Sequence, residues 1–151
     1  MRKLVWMLLA LLLLVGGPAQ AETWQRIIST RIGEIYVDLD SLQRLPSGAV
    51  DFWERIVYSE DGLRFALSQM GKAGDSEAFV QKHATMVETR TLWRWEPASK
   101  RYQGLKRVRY GPGDSVLSSS EWAESEARWR PIQPGGWMDS LTREVETLAP
   151  R

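Results

Sequence analysis

The chain has 151 residues, with 20 basic and 19 acidic side chains, one histidine and no cysteine. This length suits one domain that buries enough surface to fold without staples. The lack of cysteine excludes disulfides, and it leaves a zinc site only one imidazole and carboxylates to draw on.

From the N-terminus, Arg2 and Lys3 precede an apolar run from Leu4 to Val15, and Gly16, Gly17 and Pro18 lead into Ala19-Gln20-Ala21. Charge, apolar core and small-residue triplet in that order predict a secretory signal peptide over residues 1–21, with a domain over 22–151. The run is shorter than the roughly 20 residues a helix needs to span a bilayer. No later stretch is apolar enough to anchor the chain. An exported protein is therefore expected, in the periplasm or on the outer cell surface, with no transmembrane segment after cleavage.

Residues 24–29 and 34–38 read as two strands around a turn at 31–33. In Asp38-Leu39-Asp40-Ser41 the short polar side chains favour a turn or a single helical turn. After Pro46-Ser47-Gly48, residues 49–58 alternate, with Val50, Phe52, Ile56 and Tyr58 on one side and Asp51, Trp53, Arg55 and Val57 on the other. Glu54 breaks the pattern by falling on the apolar side. Residues 59–75 give no settled conformation, and 76–82 suit a short helix. Residues 85–96 and 101–110 alternate on either side of Pro97-Ala98-Ser99-Lys100, which predicts a β-hairpin. A strand over 115–120 and a charged loop over 121–128 follow. Pro134-Gly135-Gly136 then opens a helix with Trp137, Leu141, Val145 and Leu148 on one face and Asp139 near its positive N-terminal end.

Counting back from Glu96 opposite Arg101 pairs Trp95 with Tyr102, Arg94 with Gln103, Trp93 with Gly104, Leu92 with Leu105, Arg90 with Arg107, Thr89 with Val108 and Glu88 with Arg109. This register predicts an apolar face of Val87, Thr89, Trp93, Trp95, Tyr102, Val108 and Tyr110. The other face gathers Arg90, Arg94, Arg101, Arg107 and Arg109, a candidate surface for an anionic partner. Residues 82–110 carry 8 basic and 2 acidic groups, whereas residues 22–81 carry 6 and 10 and residues 111–151 carry 4 and 7. The opposing reading is that the acidic flanks, Glu121, Glu124 and Glu126 above all, fold over these arginines and neutralise them.

Trp24, Tyr36-Val37-Asp38-x-Asp40-Ser41-Leu42, Val50-x-Phe52-Trp53-x-Arg55-x-Val57-Tyr58, Arg101-Tyr102, Tyr110-Gly111, Ser118-Ser119 and Trp129-x-Pro131-Ile132-x-Pro134-Gly135 occur in this order before the C-terminal helix. In that series the chain resembles the surface-adhesin protein E family of small exported bacterial proteins, over nearly all of residues 22–151. The resemblance implies an α+β fold, a single domain in which a curved antiparallel β-sheet carries a packed C-terminal α-helix. It also implies an adhesin-like role, since the family's namesake binds host extracellular-matrix and serum proteins. Family members commonly tie the helix to the sheet with a cysteine pair, which would fall near Leu92 or Trp93 and near Val145 to Leu148. Here apolar contact through Trp137, Leu141, Val145 and Leu148 must replace it.

His83 sits beside Lys82, as a surface histidine does, and a general-base role would need a carboxylate and one particular serine beside it. No G-x-S-x-G elbow, P-loop or H-E-x-x-H run occurs. Asp38 and Asp40, with Asp51 or Glu54 nearby, offer a calcium site or a glycosidase pair, whereas the resemblance assigns them to a structural turn. Trp24, Trp53 and Trp137 fall at core-like positions, and Trp122, between Glu121 and Glu124, is the candidate exposed anchor. The expectation is a non-enzymatic binding protein without cofactor or metal, engaging a protein or an anionic glycan and compatible with a homodimer, with no nucleic-acid partner. A small periplasmic hydrolase using His83 or the Asp38 and Asp40 pair is one alternative. An envelope assembly factor is another.

Overall fold

The computed structural model describes residues 23–149 apart from 124 and 127. The signal segment expected over 1–21 and Glu124 lie outside the described residues. Strands β1 (Trp24–Thr30) and β2 (Gly33–Asp38) form the first hairpin. The polar segment expected to turn is a single 3-10 turn, Leu39–Ser41, where the Asp38 carboxylate accepts from the Asp40 N–H at 3.1 Å. Strand β3 (Gln43–Arg44) leads into β4 (Val50–Tyr58).

The segment that gave no settled reading forms helix α1 (Glu60–Lys72), capped by Ser59, whose hydroxyl accepts from the Gly62 N–H at 3.0 Å. Gly62 and Gly71 weaken its helical signal. Gly62 has a packing reason, because a Cβ there would stand 1.8 Å from the Ile32 carbonyl oxygen. Helix α2 (Glu77–Lys82) follows, capped by Ser76 at 3.2 Å from the Phe79 N–H. Strands β5 (Glu88–Glu96) and β6 (Arg101–Tyr110) make the central hairpin. Strands β7 (Val116–Glu121) and β8 (Arg130–Pro131) and helix α3 (Trp137–Leu148) complete the order.

All eight strands join one antiparallel sheet in the order β1-β2-β4-β5-β6-β7, with β3 pairing to β4 beyond the end of β2 and β8 to β6 beyond the end of β7. The chain is thus a single α+β domain. One face of the sheet holds the core, where Ile35, Val37, Val50, Phe52, Trp93 and Trp95 pack against Met138, Leu141 and Val145 of α3. With no disulfide, this apolar contact seats the helix, and Arg44 pairs with Glu146 at 3.7 Å beside it. The buried stripe of α3 is Met138, Leu141, Thr142 and Val145. Trp137, expected on that stripe, is 42% exposed. At about 100° per residue, the stripe of 138, 141, 142 and 145 is centred about 90° away from position 137.

The central hairpin departs from the counted register. Glu96 opposite Arg101 through Trp93 opposite Gly104 are as expected, but a bulge follows. Leu105 is the extra residue, so that Leu92 stands opposite Lys106, Thr91 opposite Arg107, Arg90 opposite Val108, Thr89 opposite Arg109 and Glu88 opposite Tyr110. Counting assumed an unbroken ladder, and one inserted residue moves every later side chain to the other face. Arg107 and Arg109 therefore join Thr91 and Thr89 on the core face, while Val108 and Tyr110 join Arg90 and Arg94 opposite. The five arginines do not form one surface. The bulge also removes the like-charge pairing of Arg90 with Arg107, unfavourable by roughly 0.2–1 kcal/mol, and sets the Arg90 guanidinium 4.7 Å from the Tyr110 ring.

Candidate functional site: a tryptophan and arginine surface

Three of the five predicted arginines lie on the face away from the core, and each is matched by a carboxylate of the strands. Arg94 donates to both Asp51 carboxylate oxygens, at 2.7 and 2.8 Å, from the next strand. Arg90 donates to Glu88 at 2.7 Å, whose other oxygen accepts from Arg55 at 2.7 Å. Arg101 donates to Glu96 at 2.7 Å and lies 5.2 Å from the Trp129 ring. The expected cover by residues 121–126 takes the form of one contact among the described residues, Lys106 to Glu121 at 3.6 Å. Trp24 also belongs to this layer, half-buried under the guanidiniums of Arg55 and Arg90 at 5.8 and 5.5 Å. Trp53, half-buried, shares the face by its register opposite Leu92. Neither is in the helix-side core, since Trp53 follows the core residue Phe52 by one position on β4 and Trp24 lies under those guanidiniums on the opposite face.

The core face is arranged in rows across the strands. Phe52, Trp93 and Gly104 form an apolar row. The next row reads Val37, Glu54, Thr91, Arg107 and Ser120, and the one after it Ile35, Ile56, Thr89, Arg109 and Ser118. Arg107 donates to the Thr91 hydroxyl at 3.3 Å, and its guanidinium lies 5.8 Å from the Trp93 ring. Arg109 donates to the Ser118 hydroxyl at 3.4 Å and lies 6.0 Å from the Phe79 ring of α2. Neither makes an ion pair with a carboxylate among the described residues. Burial, and then the Arg107 charge beside it, push the Arg109 pKa below its ordinary value.

Glu54 lies within this row with one carboxylate oxygen accepting from the Trp93 indole N–H at 2.6 Å and the other buried without a partner. Burial raises its pKa to about 7, against the opposing pull of the Trp93 hydrogen bond and the Arg107 charge. Tyr58 donates to the Thr89 hydroxyl at 3.1 Å in the row beyond. His83, expected at the surface, is fully buried. Its Nδ1 lies 2.7 Å from the Phe79 carbonyl oxygen and its Nε2 2.7 Å from the Ser118 hydroxyl. A carbonyl only accepts, so in the neutral ring Nδ1 carries the proton and Nε2 accepts from Ser118. The polar neighbours of His83 in the sequence hid this, since the end of α2 turns the ring under onto β7.

Two exposed rings border the same rows. Trp122 is 37% exposed, as its flanking glutamates suggested. Its backbone N–H donates to the carbonyl of the bulge residue Leu105 at 2.9 Å. Its ring and that of Trp93 both lie beside Gly104, where a Cβ would stand 3.4 Å from Trp93 and 3.7 Å from Trp122. The Trp137 ring centroid lies 6.0 Å from that of Trp93. The bulge thus gathers Trp93, Trp122, Trp137 and Arg107, of which only Trp122 and Arg107 were legible as candidates.

The other candidates serve structure. Asp38 caps its turn, and Asp40 accepts from the Thr23 hydroxyl at 2.8 Å. No group of three or more potential metal ligands gathers among the described residues. A cavity of about 370 Å³ beside α3 is lined by Trp95, Lys100, Ile132, Asp139 and Arg143, with Asp139 and Arg143 paired to each other. No helix among the described residues is long and apolar enough to cross a membrane.

These features define a single-domain α+β protein whose antiparallel sheet carries an aromatic and cationic patch beside a docked helix. No family model matches the sequence. No curated protein matches it either. Among solved structures, the chain is similar to protein E of Haemophilus influenzae. The crystal structure from the non-typeable bacterium is 10% identical, with 91% of this chain and 88% of that one covered and a TM-score of 0.45. Crystal form II of protein E is 11% identical, with 89% and 93% covered and a TM-score of 0.45.

Proposed function

We propose that the chain is an exported, non-enzymatic binding protein, adhesin-like, acting in the periplasm or on the outer cell surface. Its partner, an extracellular-matrix or envelope component, is engaged through Trp122, Trp137 and Arg107. The observation that carries this reading is the pair of exposed tryptophans around a buried third, with an unmatched guanidinium at the edge. Tryptophan and arginine dominate the energetics of protein interfaces. The family resemblance of the sequence supports the same role, and the segment from Arg2 to Ala21 supports export. The test compares the exported protein with a Trp122→Ala, Trp137→Ala double variant on immobilised extracellular-matrix proteins and isolated envelope fractions. A loss of about tenfold or more is expected. Unchanged binding by the folded variant overturns this surface.

One observation favours a second reading, a small hydrolase. Ser118 donates to His83 Nε2 while the Phe79 carbonyl holds Nδ1, the order of nucleophile, base and orienting group. The orienting group is a neutral carbonyl rather than a carboxylate, and the ring is buried. Turnover of generic ester, glycoside or peptide substrates that Ser118→Ala abolishes would replace the binding reading.

A further inference from the structure

We infer that Arg107, Arg109 and Ser120 form a site for a tetrahedral oxyanion group, sulfate or phosphate, bordered by the Trp93 ring. The inference rests on the reading that this face binds the partner, and it gives that face its ligand chemistry. Arg107 and Arg109 are two residues apart on one side of β6, so their charges repel. Elsewhere on the hairpin the same problem is solved internally, by Asp51 for Arg94, Glu88 for Arg90, Glu96 for Arg101 and Glu121 for Lys106. Among the described residues, Arg107 and Arg109 hydrogen-bond only to the hydroxyls of Thr91 and Ser118.

The carboxyl in their row does not compensate them. Glu54 spends one oxygen on Trp93, and burial keeps it about half protonated near pH 7. Asp75 attracts Arg109 but makes no ion pair with it among the described residues. Ser120 stands beside Arg107 on β7, at the edge of the sheet, and its hydroxyl makes no hydrogen bond among the described residues. Two planar guanidiniums and a free hydroxyl suit the several oxygens of a sulfate or phosphate group. Ionised Glu54 would compete with that group for Arg107. The other titratable groups facing these rows are Tyr58, whose pKa burial raises so that it stays neutral, and His83, held between the Phe79 carbonyl and the Ser118 hydroxyl.

Calorimetric titration of the full chain with inorganic sulfate, inorganic phosphate and a sulfated oligosaccharide tests the site. Saturable binding is expected, weakened about tenfold or more by Arg107→Gln and by Arg109→Gln, and unchanged by Arg64→Gln on α1. Denaturation curves verify that the variants fold, and Arg107→Lys, which keeps the charge without the fork, should fall between. Tight binding of the oligosaccharide alone marks a group carried by the partner, whereas equal binding of the inorganic ions marks a free anion. Sulfate does not titrate near neutrality, so the sulfated probe should bind more tightly at pH 6 than at pH 8. Glu54→Gln should remove that difference, and His83→Gln should leave it. No saturable binding of any probe, or wild-type affinity in both arginine variants, overturns the inference. If the tryptophan variant still loses the partner in that case, the binding reading stands without this ligand.

Discussion

At the scale of single residues, Glu54 is where sequence and structure inform each other most. Alternation along β4 places a carboxyl among Phe52 and Ile56, and the structure buries it there, 1% exposed, under the Trp93 N–H. The anomaly was legible, but its partner was not, because the pairing of β4 with β5 joins residues 39 apart in the chain. The raised pKa fixes the sign of a pH effect. Between 4.5 and about 7 the folded chain holds a proton that the unfolded chain has released. Stability from this group is therefore greatest below pH 4.5, falls as pH rises, and levels off above pH 7, a loss of about 3 kcal/mol. Asp61, held down first by Arg31, and Asp139, held down first by Arg143, act in the opposite sense, but only in acid below their ordinary values. Urea unfolding at pH 5 and pH 8 should show the wild type less stable at pH 8. Glu54→Gln, which still accepts from Trp93, should flatten the difference, and equal slopes in both proteins would show that Glu54 titrates as an ordinary surface carboxyl.

Among the elements, turns and helix caps were more legible than register. Pro97 to Lys100 marks the hairpin, and pairing holds from Glu96 back to Trp93. The bulge at Leu105 has no composition signal of its own, since a leucine fits either side of an alternating strand. It nevertheless decides which arginines reach the tryptophans. Helix α1 escaped because Gly62, needed for close packing on Ile32, reads locally as a helix breaker. Helix α3 was read correctly in extent, with its stripe one position off at Trp137. That difference predicts unequal costs. Leu141 is 0% exposed against the sheet, so Leu141→Ala should remove about 2–5 kcal/mol in chemical denaturation. Trp137→Ala, at an exposed position, should cost far less. A Leu141→Ala shift of only a few tenths of a kcal/mol would show that α3 is not seated there.

At the scale of the whole molecule, the sequence shows a cationic central block between acidic flanks, and the fold resolves it by strand pairing more than by flank cover. Antiparallel β4 brings Asp51 to Arg94 across 43 residues, a separation no local charge count reveals. The two sheet faces therefore differ in kind. On the face away from the core the arginines are paired with carboxylates, with the Arg94 and Asp51 side chains each 15% exposed, whereas on the core face Arg107 and Arg109 pair with no carboxylate among the described residues. The remaining ion pairs, such as Arg26 with Glu34, Arg31 with Asp61 and Arg143 with Asp139, lie at the surface and are worth little each. Partly buried pairs are screened much less by salt than an incoming ligand's charge. Raising ionic strength from about 0.05 M to about 0.5 M should accordingly move the unfolding free energy by no more than about 1 kcal/mol. Over the same range, affinity for a sulfated oligosaccharide should fall steeply. Denaturation and titration run in matched buffers separate the two effects. A stability that collapses in step with binding would mean that the arginines on both faces depend on long-range attraction, and the division of the sheet into a paired face and a binding face would not hold.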